Sequence, residues 1–228
     1  MNQIHPTALV GPYVEMGTGN TVGPFVVLSG HVRLGDDNWL GTGVVVGVPP
    51  EVRGHPHPAD PGEPTGGGVV IGSRNTFREH AQVHGGWRGV TTVGDDAFVM
   101  NQVYVAHDNT LGDEVTLASG VRLAGHVSVQ HGANLGMGVV VHQRRVVGAG
   151  TMVGMGAVVT RDVPPFAKAF GSPARVRGVN VHRLSRLSLA DHADLLAARY
   201  AGDLAGEPAP TGDEALDRAW RDWYLARV

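Results

Sequence analysis

Every sixth residue of this chain is apolar over most of its length. The run begins Ile4, Val10, Met16, Val22, Leu28, Leu34, Leu40 and Val46. It resumes at Ile71, Phe77 and Val83, then at Val93, and continues unbroken through Val99, Val105, Leu111, Leu117, Leu123, Val129, Leu135, Val141, Val147 and Val153 to Val159. A period of six fits neither an amphipathic helix nor an alternating strand. It predicts a short strand, a tight corner and another short strand, with three hexads closing one triangular coil of a parallel β-solenoid. Such a coil cannot bury its inward side chains alone, so stability must come from stacking coil on coil. The residue after the aliphatic is often glycine, as at Gly11, Gly17, Gly23, Gly35, Gly94, Gly112 and Gly136. The fourth after it is small, β-branched or asparagine, as at Val14, Asn20, Asn38, Asn75 and Ala157. Glycine and asparagine at the corners are expected to supply backbone angles that other residues resist.

The hexads divide the chain into a β-helix over 1–165 and a C-terminal exit segment with an α-helical cap over 166–228. Two interruptions break the count. The first, 48–69, holds six prolines and the run Gly66-Gly67-Gly68; a loop of this length inside a compact domain is usually functional or disordered. The glycine run lacks the strand–GxGxxG–helix setting of a dinucleotide site. The second interruption, Gly85 to Thr92, is shorter. After Val163-Pro164-Pro165 the pattern stops. Ser188 to Asp191 reads as a capping box opening a helix to about Tyr200, and a second helix is expected from Asp213 to Ala226, carrying Trp220 and Trp223.

Composition narrows the chemistry. With 18 Lys+Arg against 21 Asp+Glu, the net charge of −3 gives no electrostatic case for nucleic acid or an anionic membrane. There is no cysteine, which removes disulfides, thiolate metal sites and thiol nucleophiles. No apolar run approaches a membrane span, and the N-terminus lacks a signal-peptide pattern. A cytoplasmic protein is expected.

Histidines supply the candidate chemistry. His107, Gly125 and Gln143 are spaced 18 residues apart, so they stack on one corner. His126 lies one residue past that column and His142 one residue before it. Three imidazoles therefore converge within about two layers, each about 5 Å thick. His107 precedes Asp108. A neutral imidazole oriented by a carboxylate can take a proton from a hydroxyl or amine attacking a thioester. A Gly125 N–H on the same column can receive the developing oxyanion. The expectation is an acyltransferase with direct attack by the acceptor and no covalent enzyme intermediate.

Particular stretches carry a resemblance: Ile4-His5-Pro6-Thr7-Ala8, Gly62-Glu63-Pro64-Thr65, Ala106-His107-Asp108, Leu123-Ala124-Gly125-His126-Val127-Ser128-Val129, Val141-His142-Gln143, Asp162-Val163-Pro164-Pro165 and Gly178-Val179-Asn180. Over residues 4–187 the chain resembles the UDP-N-acetylglucosamine O-acyltransferases of lipid A biosynthesis. The resemblance implies a left-handed winding and a homotrimer with active sites between subunits. It implies transfer from an acyl carrier protein to the 3-hydroxyl of a nucleotide sugar. By the same likeness His107 is the general base, Asp108 its orienting partner and Gly125 the oxyanion donor. Glu51, Arg53, His84, His126, His142, Gln143, Asn180 and Arg186 would contact substrates. Met155 stands where glycine leaves room for a long acyl chain, which implies a shortened hydrocarbon ruler and a short-to-medium chain. No cofactor or metal is implied beyond the donor's phosphopantetheine thioester or an acyl-CoA.

The chain departs from that family in five places. Tyr104 stands where a histidine is usual, and His182 replaces an acid that contacts uracil. Leu187 replaces one of two arginines, and Arg144-Arg145 replaces an apolar pair. The Pro-rich loop is also longer. An N- or O-acyltransferase acting on another NDP-sugar or a specialised metabolite therefore stays open, as do a three-histidine zinc site and a non-catalytic scaffold.

Overall fold

The computed structural model describes residues 1–58, 62–202, 204–206 and 209–227. Pro61 of the Pro-rich loop, and Glu207 and Pro208 before the last helix, lie outside them. Each aliphatic of the six-residue series closes a short strand, from Gln3–Ile4 to Val158–Val159. Successive strands go to three different sheets, and every third strand pairs in parallel, Gln3 with Thr21 and Ile4 with Val22. Among the described residues the first sheet has ten strands, the second eight and the third seven. The chain is thus a three-sided parallel β-helix whose inward residues form one continuous core from Val22 to Val163 and beyond. In the first coil, Ile4 and Val10 are partly exposed because nothing stacks beneath them.

The corners work differently from the sequence expectation. The left-handed backbone position falls three residues after the aliphatic and is frequently not glycine: Phe25, Asp37, Arg74, Asp96, Asp108, Glu114, His126 and Arg144 all have φ between 55° and 61°. The glycine directly after the aliphatic serves close approach instead. A Cβ on Gly35 would lie 2.7 Å from the Gly72 carbonyl oxygen of the next coil, and one on Gly112 would lie 2.7 Å from the His131 nitrogen. Nor do the asparagines take unusual angles. Asn20, Asn38 and Asn75 are buried and form an amide ladder, in which Asn38 Nδ2 donates to Asn20 Oδ1 at 3.0 Å and Asn20 Oδ1 also accepts from the Asn38 N–H. Their side chains satisfy buried backbone N–H groups that the sheet ladders miss.

Both insertions leave the corner between the second and third sheets, after Val46 and after Val83. The same corner carries 106–109, 124–127 and 142–145 on the following coils. At the other end, Ala167–Phe170 continues the first sheet beside Met152–Val153 and turns back into antiparallel Arg175–Val179. Among the described residues three α-helices follow: α1 (Val181–Arg186), α2 (Ala193–Ala201) and α3 (Glu214–Leu225). The expected capping box is not one. Ser188, at φ 59°, lies just beyond the end of α1, and α2 opens after a short 3-10 turn with no side-chain cap. Asp213 does cap α3, its Oδ1 accepting from the Leu216 N–H at 3.0 Å. Leu196, Leu216, Trp220 and Trp223 pack with Val146, Ala149 and Phe166 in a second core against the last coils.

Candidate active site

The corner after Tyr104–Val105 turns through His107 and Asp108. With an αL backbone at Asp108, the two adjacent side chains meet: His107 Nδ1 lies 2.8 Å from Asp108 Oδ2. Ionised Asp108 can only accept, so the shared proton sits on Nδ1 and leaves Nε2 free as a base. His126, on the next coil, presents Nε2 at 3.6 Å from the same Oδ2. The two imidazoles stand perpendicular with centroids 5.1 Å apart. The other carboxylate oxygen is held from the second insertion. Asp108 Oδ1 accepts from the N–H groups of Trp87 (3.1 Å), Arg88 (3.0 Å) and Gly89 (2.7 Å). Thr91 Oγ1 accepts from the Asp108 N–H at 2.9 Å.

These contacts settle the electrostatics. Burial alone would push the Asp108 carboxyl up. The hydrogen bonds from His107 and from Gly89, Arg88 and Trp87 outweigh it and hold the group below the usual carboxylate range. Burial keeps His126 below the ordinary imidazole value, with Asp108 opposing it and Arg144, His107 and Arg88 reinforcing it. The His107 side chain is 14 % exposed and that of Asp108 only 6 %, so the imidazole is the more accessible of the two.

Gly125 lies directly over His107. A Cβ there would fall 2.5 Å from His107 Cε1 and 2.6 Å from Nε2. Its N–H donates to no group among the described residues. A backbone N–H without a partner among the described residues thus lies beside the His107 imidazole.

The Pro-rich loop reaches this corner through two contacts. Tyr104 donates its hydroxyl to Glu51 in a short hydrogen bond. Buried His84 donates from Nδ1 to the Pro49 carbonyl at 3.1 Å and stands edge-on to Tyr104 at 5.1 Å. Burial lowers the His84 pKa against the raising effects of Pro49 and Glu51. Burial, then the bond to Glu51, raises the Tyr104 phenol. Arg53 is exposed on the loop. His142 and Gln143 are exposed on the coil beyond Gly125, His142 Nδ1 lying 3.2 Å from the Gln143 carbonyl oxygen.

Three sequence-predicted residues lie elsewhere in the chain. Met155, 77 % exposed, sits on the corner between the first and second sheets. Asn180 caps α1, accepting from the Arg183 N–H, and donates to the Gly150 carbonyl at 2.9 Å on the third corner. Arg186 is exposed on α1. Trp87, Arg88, Gly89 and Thr91 carry no motif in the sequence; the break in the hexad count is their only signal. His107, Asp108 and His126 also offer ligand atoms within 4.8 Å of one another, a spacing a metal ion accepts.

No protein-family profile matches the chain. Two curated relatives share the name acyl-[acyl-carrier-protein]–UDP-N-acetylglucosamine O-acyltransferase. The one from Verminephrobacter eiseniae is 38 % identical over 223 residues, covering 89 % of this chain and 80 % of its own. The one from Paraburkholderia phytofirmans is 38 % identical over 222 residues, covering 88 % and 82 %. Among solved structures, the Francisella novicida UDP-N-acetylglucosamine acyltransferase matches at a TM-score of 0.76 and 26 % identity, over 98 % of this chain and 89 % of that one. The shared architecture is the left-handed β-helix.

Proposed function

This chain belongs to the acyl-[acyl-carrier-protein]–UDP-N-acetylglucosamine O-acyltransferase family, and from that premise we propose that it moves an acyl chain from a carrier-protein thioester to the 3-hydroxyl of UDP-N-acetylglucosamine. One observation carries the reading: His107, tied at Nδ1 to Asp108, turns its free Nε2 toward side-chain-less Gly125. His107 Nε2 takes the hydroxyl proton as the oxygen attacks the thioester carbonyl. The Gly125 N–H receives the oxyanion of the tetrahedral intermediate, and Asp108 stabilises the imidazolium. On collapse the carbon–sulfur bond breaks and the imidazolium returns its proton to the departing thiolate. The step uses no cofactor beyond the donor's phosphopantetheine.

The acting unit in this reading is a homotrimer. His107, Met155 and Asn180 occupy three different edges of one prism, so a single copy cannot bring them to one substrate. A cleft between copies can, with the neighbour's Met155 limiting the acyl chain. The Tyr104–Glu51 pair and the anchored loop lie beside His107 and would meet the sugar.

The test is a mass-spectrometric transfer assay, offering carrier-protein and coenzyme A thioesters of several lengths against a panel of NDP-sugars. Acylation of UDP-N-acetylglucosamine, reduced about 10²–10⁴-fold in His107→Ala, is the expected result. Acylation of another acceptor only would overturn the substrate assignment. Activity lost on chelation and restored by zinc would move the three close ligands to a metal site.

A further inference from the structure

The three-glycine run of the first insertion has a physical use in the fold. Gly67 donates its N–H to the Gly86 carbonyl at 2.9 Å, Gly86 donates to Gly68 at 3.0 Å, and Thr91 donates to the same Gly68 oxygen at 3.2 Å. The two insertions are therefore stitched backbone to backbone. The seam leaves no room for side chains: a Cβ on Gly67 would lie 1.6 Å from the Gly89 oxygen, and one on Gly66 would lie 2.2 Å from the Gly86 oxygen. Neither Gly66 nor Gly67 has a positive φ, so close approach is what demands glycine here.

The far side of that seam is the turn that grips the carboxylate. Trp87, Arg88 and Gly89 point three successive N–H groups at Asp108 Oδ1, a backbone nest for an anion. Held this way, Asp108 can rotate little, and its Oδ2 stays on His107 Nδ1. The Trp87 ring stands edge-on to His107 at 6.0 Å, and the Arg88 guanidinium stacks on that ring at 4.3 Å.

We propose that Gly67 and the Trp87–Gly89 turn are positioning residues. The side-chain-free seam sets the height of the nest, the nest fixes Asp108, and Asp108 fixes the His107 tautomer that leaves Nε2 free. Gly67 touches no substrate and acts only through this chain of contacts. The inference rests on the acyl-transfer reading for its consequence, though the tautomer itself does not.

The experiment is nitrogen-15 NMR of histidine-labelled full-length protein, with His107→Ala used for assignment, run beside the transfer assay. Wild type should show His107 in the Nδ1–H tautomer. Gly67→Ala, which drives a methyl into the Gly89 carbonyl, should give mixed tautomers. Its kcat should fall about 10- to 100-fold, the scale of a misplacement near 1 Å, while KM for the donor stays unchanged. Arg88→Pro leaves the seam intact, removes the middle N–H donor, and should give the same signature. If either variant folds and keeps both the wild-type tautomer and the wild-type kcat, the proposal is overturned. If wild type acylates nothing on the panel but the tautomer still responds, the functional reading fails and the positioning chain stands.

Discussion

Asp108 gathers most of the chemistry of this chain into one carboxylate. One oxygen takes three backbone N–H groups and the other faces two imidazoles. Its lowered pKa fixes a sign: the stability it contributes is present above the unfolded carboxyl value of about 3.9 and is lost as pH falls through the lower folded value. It is therefore ionised throughout the range where His107 can act as a base. Gly125 is the second residue whose role is set by contact. Gly125→Ala forces the His107 ring off its position, because the new Cβ would fall 2.5 Å from Cε1. We expect a loss of about 100-fold or more in kcat, together with a changed His107 nitrogen-15 spectrum. A loss of activity with that spectrum untouched would show that only the oxyanion contact mattered.

The corner is the element that matters most, and its residue preferences were only half legible. Glycine after an aliphatic suggests a turn former in the sequence, yet it marks where one coil nearly touches the next. The true left-handed positions, three residues on, are shared between glycines such as Gly19, Gly43, Gly120 and Gly138 and residues such as Phe25, Arg74, Glu114 and Arg144, which local preference alone would not select. Stacked coils impose that angle on whatever residue occupies the slot. Ser188 differs for a related reason: its motif is sound locally, but α1 ends just before it. The Pro-rich loop makes a pH prediction at this scale. Buried His84 holds it by donating Nδ1–H to Pro49, and its pKa lies below the ordinary value. The unfolded chain thus binds a proton that the folded chain refuses. The contribution of His84 is complete above about pH 6.5 and declines as pH falls from there through the folded value. Urea melts from about pH 7 to 5.5 should show stability falling with pH. His84→Phe should flatten that slope in part, since His126 shares the direction; an unchanged slope would remove His84 as a cause.

On the scale of the molecule, the prism separates what the proposed reaction must unite. His107 and Met155 lie on different corners, so the proposed ruler must come from a neighbour. In the proposed trimer, mixed assemblies of one Met155→Gly chain and two His107→Ala chains test this directly. There the only base belongs to the chain that lacks Met155. Retained short-chain preference means that the ruler is supplied across the interface, and a shift to longer donors means that it is supplied within the chain.

The sequence by itself determined the coil. A strict six-residue period names the inward side chains, the strand ends and the stacking of His107, Gly125 and Gln143, because a repeating coil leaves each position one environment. Resemblance in the motifs around those residues then supplied the chemistry and the left-handed winding. Only the tertiary structure decided that both insertions leave the His107 corner, that their glycines lock together, and that the resulting turn grips Asp108. Those contacts lie in segments without a period, where spacing no longer reports position. There the backbone path is fixed by hydrogen bonds to distant carbonyls and by the absence of side chains in the seam.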